Sequence, residues 1–148
     1  MRRSKACGFG AMALTLVAAG CATKGIDLLQ IAAGPQPVII RVLCPTATNV
    51  SIAVLPERVP VYRGRDSVLW AVVGQGTRIE IVPKNPDRWP FDNPPHVGTR
   101  GQAANSGVAF ANAQPGSYSY NVTAQCQVPN NGPLITITID PDVIITDE

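Results

Sequence analysis

The residues with the best prospects for chemistry lie in one proline-rich stretch of this 148-residue chain. His96 is the only histidine, and Asp87 and Asp92 precede it closely. An imidazole with two carboxylates could bind Zn²⁺ or transfer protons, but aspartates at such spacings among prolines usually form turns. The sequence therefore predicts no metal site, and nothing else in it predicts a cofactor.

Serine hydroxyls are the other candidates for catalysis. Ser106, Ser117 and Ser119 could act as nucleophiles, but none lies in a Gly-x-Ser-x-Gly sequence or a comparable strand-turn context. A serine nucleophile needs such a context to meet its base. We therefore expect no catalytic residues, and a protein that is not an enzyme.

The first residues have the features of an export signal. Basic residues precede the apolar run at 11–19, which is about as long as a signal-peptide core and too short to span a bilayer. The sequence VAAGC at 17–21 resembles the lipobox of bacterial lipoproteins, with Ala18 where leucine is usual. The resemblance implies a signal peptide at 1–20, a lipid on Cys21 and an exported protein, periplasmic or anchored to the outer membrane. Ordinary signal cleavage, or a plain cysteine in the leader, is the alternative.

Two cysteines remain in the mature chain once Cys7 is removed with the leader and Cys21 takes the lipid. Cys44 and Cys126 both fall on the apolar faces of predicted strands, and exported proteins meet an oxidising environment. We therefore expect a disulfide between these two residues. Two buried free thiols or a redox-active pair are the alternatives, although the chain has no Cys-x-x-Cys sequence.

The charge of the chain argues against nucleic acid as a partner. The full sequence carries a net charge of +2, but nine basic and ten acidic residues follow Gly20, so the mature chain is close to neutral. Neither sign of charge forms a run. A surface that binds nucleic acid needs a basic patch or stripe, which this sequence does not supply.

The remaining chain predicts one all-β domain. Residues 22–35 are predicted to be a tether, and residues 36–148 are long enough for a single core. In GSYSYNVTAQC (116–126), apolar and polar residues alternate with the period of a half-buried strand. Successive strands of this kind favour two packed sheets, a Greek-key β-sandwich, with a closed barrel as the alternative. Similar patterns between turn residues predict strands at 38–44, 50–55, 59–62, 67–73, 77–82, 107–112, 117–126, 134–139 and 142–146.

Two short motifs, PGSYSY at 115–120 and SVLW at 67–70, resemble those of cupredoxin-like and immunoglobulin-like β-sandwich domains. The ending DPDVII at 140–145 is similar to that of small bacterial proteins of this shape. In blue-copper members a thiolate ligand lies two positions after the second aromatic residue of the first motif, and here that position holds Val122. A blue-copper site also needs two imidazoles, whereas this chain has only His96. The resemblance thus implies the fold without copper.

One stretch interrupts the strands and is the candidate for binding a partner. Residues 84–105 are rich in proline, glycine and asparagine, and loops of this length in compact domains are often functional. Trp89, Phe91 and His96 are its candidate contact residues, because exposed aromatic side chains anchor many interfaces. Folded back, the two aromatic residues would instead cap one end of the sandwich. Trp70 is predicted to fill the core, with a stacking platform for sugar or peptide as the alternative.

Together these expectations describe a non-catalytic lipoprotein of the cell envelope. It would act as an interaction or structural module, attached to the membrane through Cys21. An envelope protein could bind to the 84–105 loop or to an unpaired sheet edge. The alternative is a periplasmic protein that binds a small ligand or a metal ion with His96 and the carboxylates of that loop.

Overall fold

The computed structural model describes residues 33–147 of the chain. The predicted signal peptide, Cys21 and most of the predicted tether lie outside the described residues. The described part contains β-strands, a 3₁₀ turn at Pro86–Arg88 and no helix that is long and apolar enough to cross a membrane. The strands are β1 (Pro35–Thr46), β2 (Asn49–Leu55), β3 (Arg58–Tyr62), β4 (Ser67–Gly74), β5 (Gly76–Pro83), β6 (His96–Thr99), β7 (Ala104–Val108), β8 (Gly116–Gln127), β9 (Leu134–Ile139) and β10 (Asp142–Thr146).

The strands form two sheets that pack face to face, so the predicted all-β sandwich is confirmed. The smaller sheet has the order β2-β1-β4-β7, and the larger sheet has the order β3-β10-β8-β5-β6, with β9 also paired to β8. Strand β8 is long enough to pair with β10 through its first residues and with β9 through its last residues. The pairs β1–β4 and β3–β10 are parallel, and the other pairs are antiparallel.

The core follows from the period-two alternation of the central strands. In β1, Val38, Ile40 and Val42 are fully buried and alternate with exposed residues. In β8, Tyr120 and Val122 alternate in the same way. Successive side chains of a strand point to opposite faces, so each sheet turns one face to the other. Each aliphatic side chain that leaves water in this way contributes roughly 1.5–3 kcal/mol, which holds the two layers together.

Cys44 and Cys126 extend the same inward faces and form a disulfide bond. Both residues are fully buried, and their Cα atoms are 6.5 Å apart. Because β1 belongs to the smaller sheet and β8 to the larger one, the bond links the two layers covalently. The predicted pairing is thereby confirmed.

Two predictions for the segment between β5 and β8 are wrong, one of a loop and one of a strand. The 84–105 stretch is not one loop, because it contains the 3₁₀ turn, strand β6 and the start of β7. The strand predicted at 107–112 corresponds to β7, which begins and ends earlier. Strand β6 lacks a clear period-two signal because its inward residues are His96 and Gly98. Gly98 has to be glycine, since a Cβ atom there would lie 2.8 Å from the backbone nitrogen of Ala104.

Candidate functional site

Five rings meet in the interior beneath the 84–105 stretch, and we name them the aromatic cluster. Trp70 lies at the centre, and the ring centroids of Phe91, His96 and Tyr120 are 6.5, 5.6 and 5.7 Å from its own. The ring of Trp89 completes the cluster at 5.3 Å from Phe91 and 5.8 Å from Tyr120. Contacts of this geometry stabilise by about 0.5–1.5 kcal/mol each beyond burial alone.

The aromatic cluster is assembled from both sheets and from the segment between β5 and β6. Strand β4 supplies Trp70, β8 supplies Tyr120 and β6 supplies His96, all at inward-facing positions. Trp89 and Phe91 fold back between them and are only 5% and 2% exposed. The two aromatic residues therefore cap the core, which is the second of the two interpretations that the sequence left open. A partner-binding role for the stretch stays a prediction, and it would have to use other side chains.

Trp70 fills the core and ties the two sheets together. Its indole Nε1 donates a hydrogen bond to the hydroxyl oxygen of Tyr120 at 3.1 Å, and both side chains are fully buried. Burial raises the pKa of Tyr120 to about 12, although the hydrogen bond from Trp70 opposes the shift. The phenol therefore stays neutral at physiological pH and serves as a structural group.

His96 is held by contacts on several sides. Its ring stacks on Trp70 with an angle of 19° between the planes, and its Nε2 accepts a hydrogen bond from Nε1 of Trp89 at 3.3 Å. A hydrogen bond with the backbone of Asn105 engages the ring as well. Because Nε2 acts as an acceptor, the proton of the neutral ring is on Nδ1. The only histidine of the chain thus has its polar atoms engaged inside the protein.

The burial of His96 predicts a loss of stability in mild acid. Burial lowers its pKa below the ordinary value of 6.5, although the hydrogen bond with Asn105 opposes the shift. In the unfolded chain the imidazole is free to take up a proton. The contribution of His96 to stability is therefore complete above about pH 6.5 and is lost as the pH falls through the folded-state pKa.

For this reason we expect the urea concentration at the unfolding midpoint of the wild type to decrease as the pH is lowered from about 7.5 to about 5. His96→Gln is the control, because its amide oxygen can still accept a hydrogen bond from Trp89 but does not titrate. The midpoint of the variant should be lower at neutral pH and should change less across this interval. Equal slopes in the two proteins would contradict the assignment to His96.

The other residues that the sequence singled out for chemistry do not form a reaction site. Asp87 and Asp92 are exposed, and within residues 33–147 no three histidine, cysteine or acidic side chains form a metal-binding group. Ser106 is buried, where its hydroxyl accepts a hydrogen bond from the N–H of Val68 and donates one to the carbonyl of Gly107. This hydroxyl is therefore committed to the backbone.

The serines of β8 and Val122, the residue that matches the thiolate position in the resemblance, belong to no reaction site either. Ser117 and Ser119 are exposed on the larger sheet, and the Ser119 hydroxyl donates a hydrogen bond to Oδ1 of Asp142 at 2.7 Å. Val122 occupies the position at which a blue-copper domain would carry its thiolate. Its side chain is fully buried opposite Ile139, so the position is part of the apolar core.

Several open cavities border the 84–105 stretch on the outside, and two of them reach Phe110. One has a volume of about 530 Å³ and is lined by Asp92, Asn105 and Phe110, together with His96. The other has a volume of about 290 Å³ and lies between Phe110 and Tyr118. Carboxylate, amide and aromatic groups around a cleft of this size suit a small polar ligand.

Two notable residues were not found by sequence reasoning. The sequence pattern assigns Phe110 to a strand, whereas it lies beyond the end of β7 and is exposed. Asp66 is fully buried and accepts hydrogen bonds from several neighbours, but its context, Arg-Gly-Arg-Asp, signals only a turn. No protein-family model matches the sequence, and no curated protein matches it either.

Proposed function

We propose that this protein is a non-catalytic β-sandwich module of a bacterial cell envelope, held at the membrane by a lipid on Cys21. The state of His96 carries the non-catalytic part of the proposal. The chain has no second histidine, and this one is buried with its ring engaged by Trp89 and Asn105. A general base or a metal ligand needs a nitrogen that can reach a substrate or an ion. The role that we propose is therefore interaction or structural, and it would use the surfaces of the sheets.

The disulfide supports export. Cys44 and Cys126 pair inside the sandwich, and structural disulfides of this kind persist in oxidising compartments such as the periplasm. The sequence around Cys21 supplies the second argument, since its resemblance to a lipobox implies an acyl anchor. We therefore propose a periplasmic or outer-membrane-anchored location.

A finer part of the proposal is that the sandwich is cupredoxin-like or immunoglobulin-like, without a copper site. The PGSYSY motif at 115–120 leads into β8, and SVLW at 67–70 opens β4. The hydrogen bond between Trp70 and Tyr120 joins the two motifs across the sheets, which supports treating them as one structural unit. The apolar environment of Val122 supports the absence of copper.

The edge of strand β9 supports an envelope protein as a partner. In the described part of the chain, β9 pairs with β8 alone, so its other edge offers backbone groups to an added strand. Its sequence, LITITI, has neither the charges nor the proline with which natural edge strands avoid pairing. A partner that adds a strand would extend the larger sheet.

Labelling with radioactive palmitate tests the anchor. The wild type should be labelled and Cys21→Ala should not be labelled, because the thiol is the proposed attachment point. Globomycin, which blocks the lipoprotein signal peptidase, should stop processing of the wild type. An unlabelled and freely soluble wild-type product would contradict the proposal.

A second candidate function, binding of a small ligand or metal ion, is favoured by the cavity of about 530 Å³ beside the 84–105 stretch. Thermal unfolding during titration with Zn²⁺, Cu²⁺ or small polyols separates the two candidates, since a ligand that binds the folded state raises the midpoint. The non-catalytic module predicts no shift. A shift that disappears in Asp92→Asn would favour the ligand-binding protein.

A further inference from the structure

The outer face of the smaller sheet is apolar. The outward residues of β1, β2 and β4 alternate with the buried ones, and most of them are hydrocarbon side chains. Leu55 is 50% exposed and Leu43 is 45% exposed, so nothing in the described chain covers them. We name this surface the apolar face and define it by Ile39, Leu43, Leu55, Leu69 and Val73.

The register of the strands makes the apolar face continuous. Ile39 in β1 lies opposite Leu55 in β2 and opposite Ala71 in β4. Arg41, two residues along β1, lies opposite Val73. Directly opposed side chains on one face of a sheet have their Cβ atoms about 5 Å apart. The hydrocarbon side chains are therefore neighbours and form a single patch.

The central strands of the larger sheet present mostly polar side chains outward, although Val82, Val97 and Leu134 are also exposed on this sheet. Strand β8 presents Ser119, Asn121 and Thr123 outward, and β9 presents Thr136 and Thr138. Water solvates hydroxyl and amide groups well, so the outward side of β8 needs no cover. The outward side of β1, the matching strand of the smaller sheet, is apolar apart from one arginine, and an exposed apolar patch of this kind marks an interaction site.

The charge on the apolar face limits what can cover it. Arg41 is exposed, and it is the only charged residue among the outward positions of β1, β2 and β4. A second copy of this face would place the guanidinium against hydrocarbon or against its own counterpart, and a buried charge without a partner is costly. A surface that combines hydrocarbon with negative charge would satisfy both kinds of side chain.

The size of the apolar face also disfavours a second copy. Three strands over the span from Pro37 to Leu43 cover roughly 300 Å² at the spacings of a β-sheet. A stable protein interface buries about 800 Å² on each partner. A contact of about 300 Å² can maintain binding only if another attachment already holds the two surfaces close together.

We propose that the apolar face docks on the surface of an anionic phospholipid bilayer. The aliphatic side chains enter the headgroup region, and the Arg41 guanidinium binds lipid phosphates. Arginine forms bidentate hydrogen bonds with phosphate, and its long stem lets the charge reach the headgroups from an apolar surface. Anionic lipids attract such a cation within a Debye length of the membrane.

The chain that precedes β1 would hold the domain close to the membrane. The inference rests on the proposed function for the lipid on Cys21. The predicted tether, residues 22–35, then leads directly into β1, the strand at the centre of the apolar face. A short tether gives the domain a high effective concentration at the bilayer, so a weak contact is occupied. The domain would lie on the membrane with its larger sheet toward water.

Tryptophan at matched positions of the two sheets tests the docking. Leu55→Trp reports on the apolar face, and Leu134→Trp is its control, because Leu134 is 56% exposed on the larger sheet. The full, processed protein is placed in vesicles of phosphatidylglycerol and phosphatidylethanolamine whose acyl chains carry bromine, which quenches nearby indoles. We expect quenching in Leu55→Trp above that in Leu134→Trp. When Arg41→Gln is combined with Leu55→Trp, the ratio of membrane-docked to undocked domain should fall about fivefold.

Each outcome decides the inference. Equal quenching at the two positions, or unchanged quenching in phosphatidylcholine vesicles, would overturn docking on an anionic bilayer. A dimer or a bound protein that Leu55→Glu releases would assign the face to a protein partner instead. If Leu55→Trp unfolds at a lower temperature than the wild type, Leu43→Trp is used as the reporter in its place. The mass of the mature N-terminus reports the acyl group separately, so failure of the anchor is distinguishable from failure of the docking.

Discussion

Replacing both Cys44 and Cys126 with alanine is expected to lower the free energy of unfolding by about 4 kcal/mol. The disulfide spans a sequence separation of 82 residues, so it removes much of the conformational freedom of the unfolded chain. For a domain of this size the loss corresponds to a thermal midpoint lower by roughly 15 °C. Thermal and urea unfolding of the oxidised wild type and the double variant, at one pH, measures the difference.

The single variants separate the cross-link from the packing of the two sulfur atoms. Cys44→Ala and Cys126→Ala should each lose nearly as much stability as the double variant, because either substitution opens the loop. Losses that add up would assign the effect to the two buried side chains. Free thiols at both positions in denatured, unreduced wild type would contradict the bond itself.

Period-two alternation was sufficient to predict the strands at the end of the chain. The predicted bounds 134–139 and 142–146 coincide with those of β9 and β10, and β8 differs from its prediction by one residue at each end. One face of each strand turns toward the core and the other meets water, so the sequence itself alternates. The same rule placed Cys44 and Cys126 on inward faces and so predicted their bond.

The aromatic cluster could be predicted only in part, because it depends on contacts between distant residues. Trp70 and Tyr120 are 50 positions apart, and no local signal indicates that their polar atoms pair. Trp89 is only seven positions from His96, yet their contact depends on the space that Trp70 leaves in the core. Packing of this kind is decided by tertiary structure rather than by local pattern.

The apolar face has a signal in the sequence that alternation alone does not use. The runs VIIRVLC at 38–44 and SVLWAVV at 67–73 are nearly continuous in apolar residues, as in strands that are buried on both faces. The sandwich buries only one face of β1 and β4. The second face of each strand is what the inferred bilayer contact would cover.

Asp66 is a fully buried carboxylate in the turn that leads from β3 in the larger sheet to β4 in the smaller one. Its Oδ1 accepts a hydrogen bond from the N–H of Gly34 at 3.0 Å, and its Oδ2 accepts one from the N–H of Tyr62 at 3.2 Å. Arg65 binds both oxygens, at 2.8 and 3.2 Å. The carboxylate thereby joins the start of β1 to the end of β3.

These contacts set the pH range over which Asp66 stabilises the fold. Burial alone would raise the pKa of Asp66, but the hydrogen bonds from Arg65, Gly34 and Tyr62 and the charge of Arg65 together lower it below the ordinary value of 3.8. The folded state therefore binds the proton more weakly than the unfolded state does. The stabilisation is present above about pH 4 and is lost as the pH falls through the folded-state pKa.

Asp66→Asn is expected to lower the free energy of unfolding by about 3–5 kcal/mol at neutral pH, because it removes the charge that Arg65 pairs with and turns an amide donor toward other donors. Asp142→Asn is the matched control. That carboxylate lies 3.9 Å from Arg58 and is partly exposed, so its loss should cost no more than about 1 kcal/mol. The gap between wild type and Asp66→Asn should narrow as the pH falls below about 4, because the carboxylate of the unfolded wild type then takes up a proton before that of the folded state does. Equal urea midpoints for the two variants at neutral pH would contradict a central role for Asp66 in joining the two sheets.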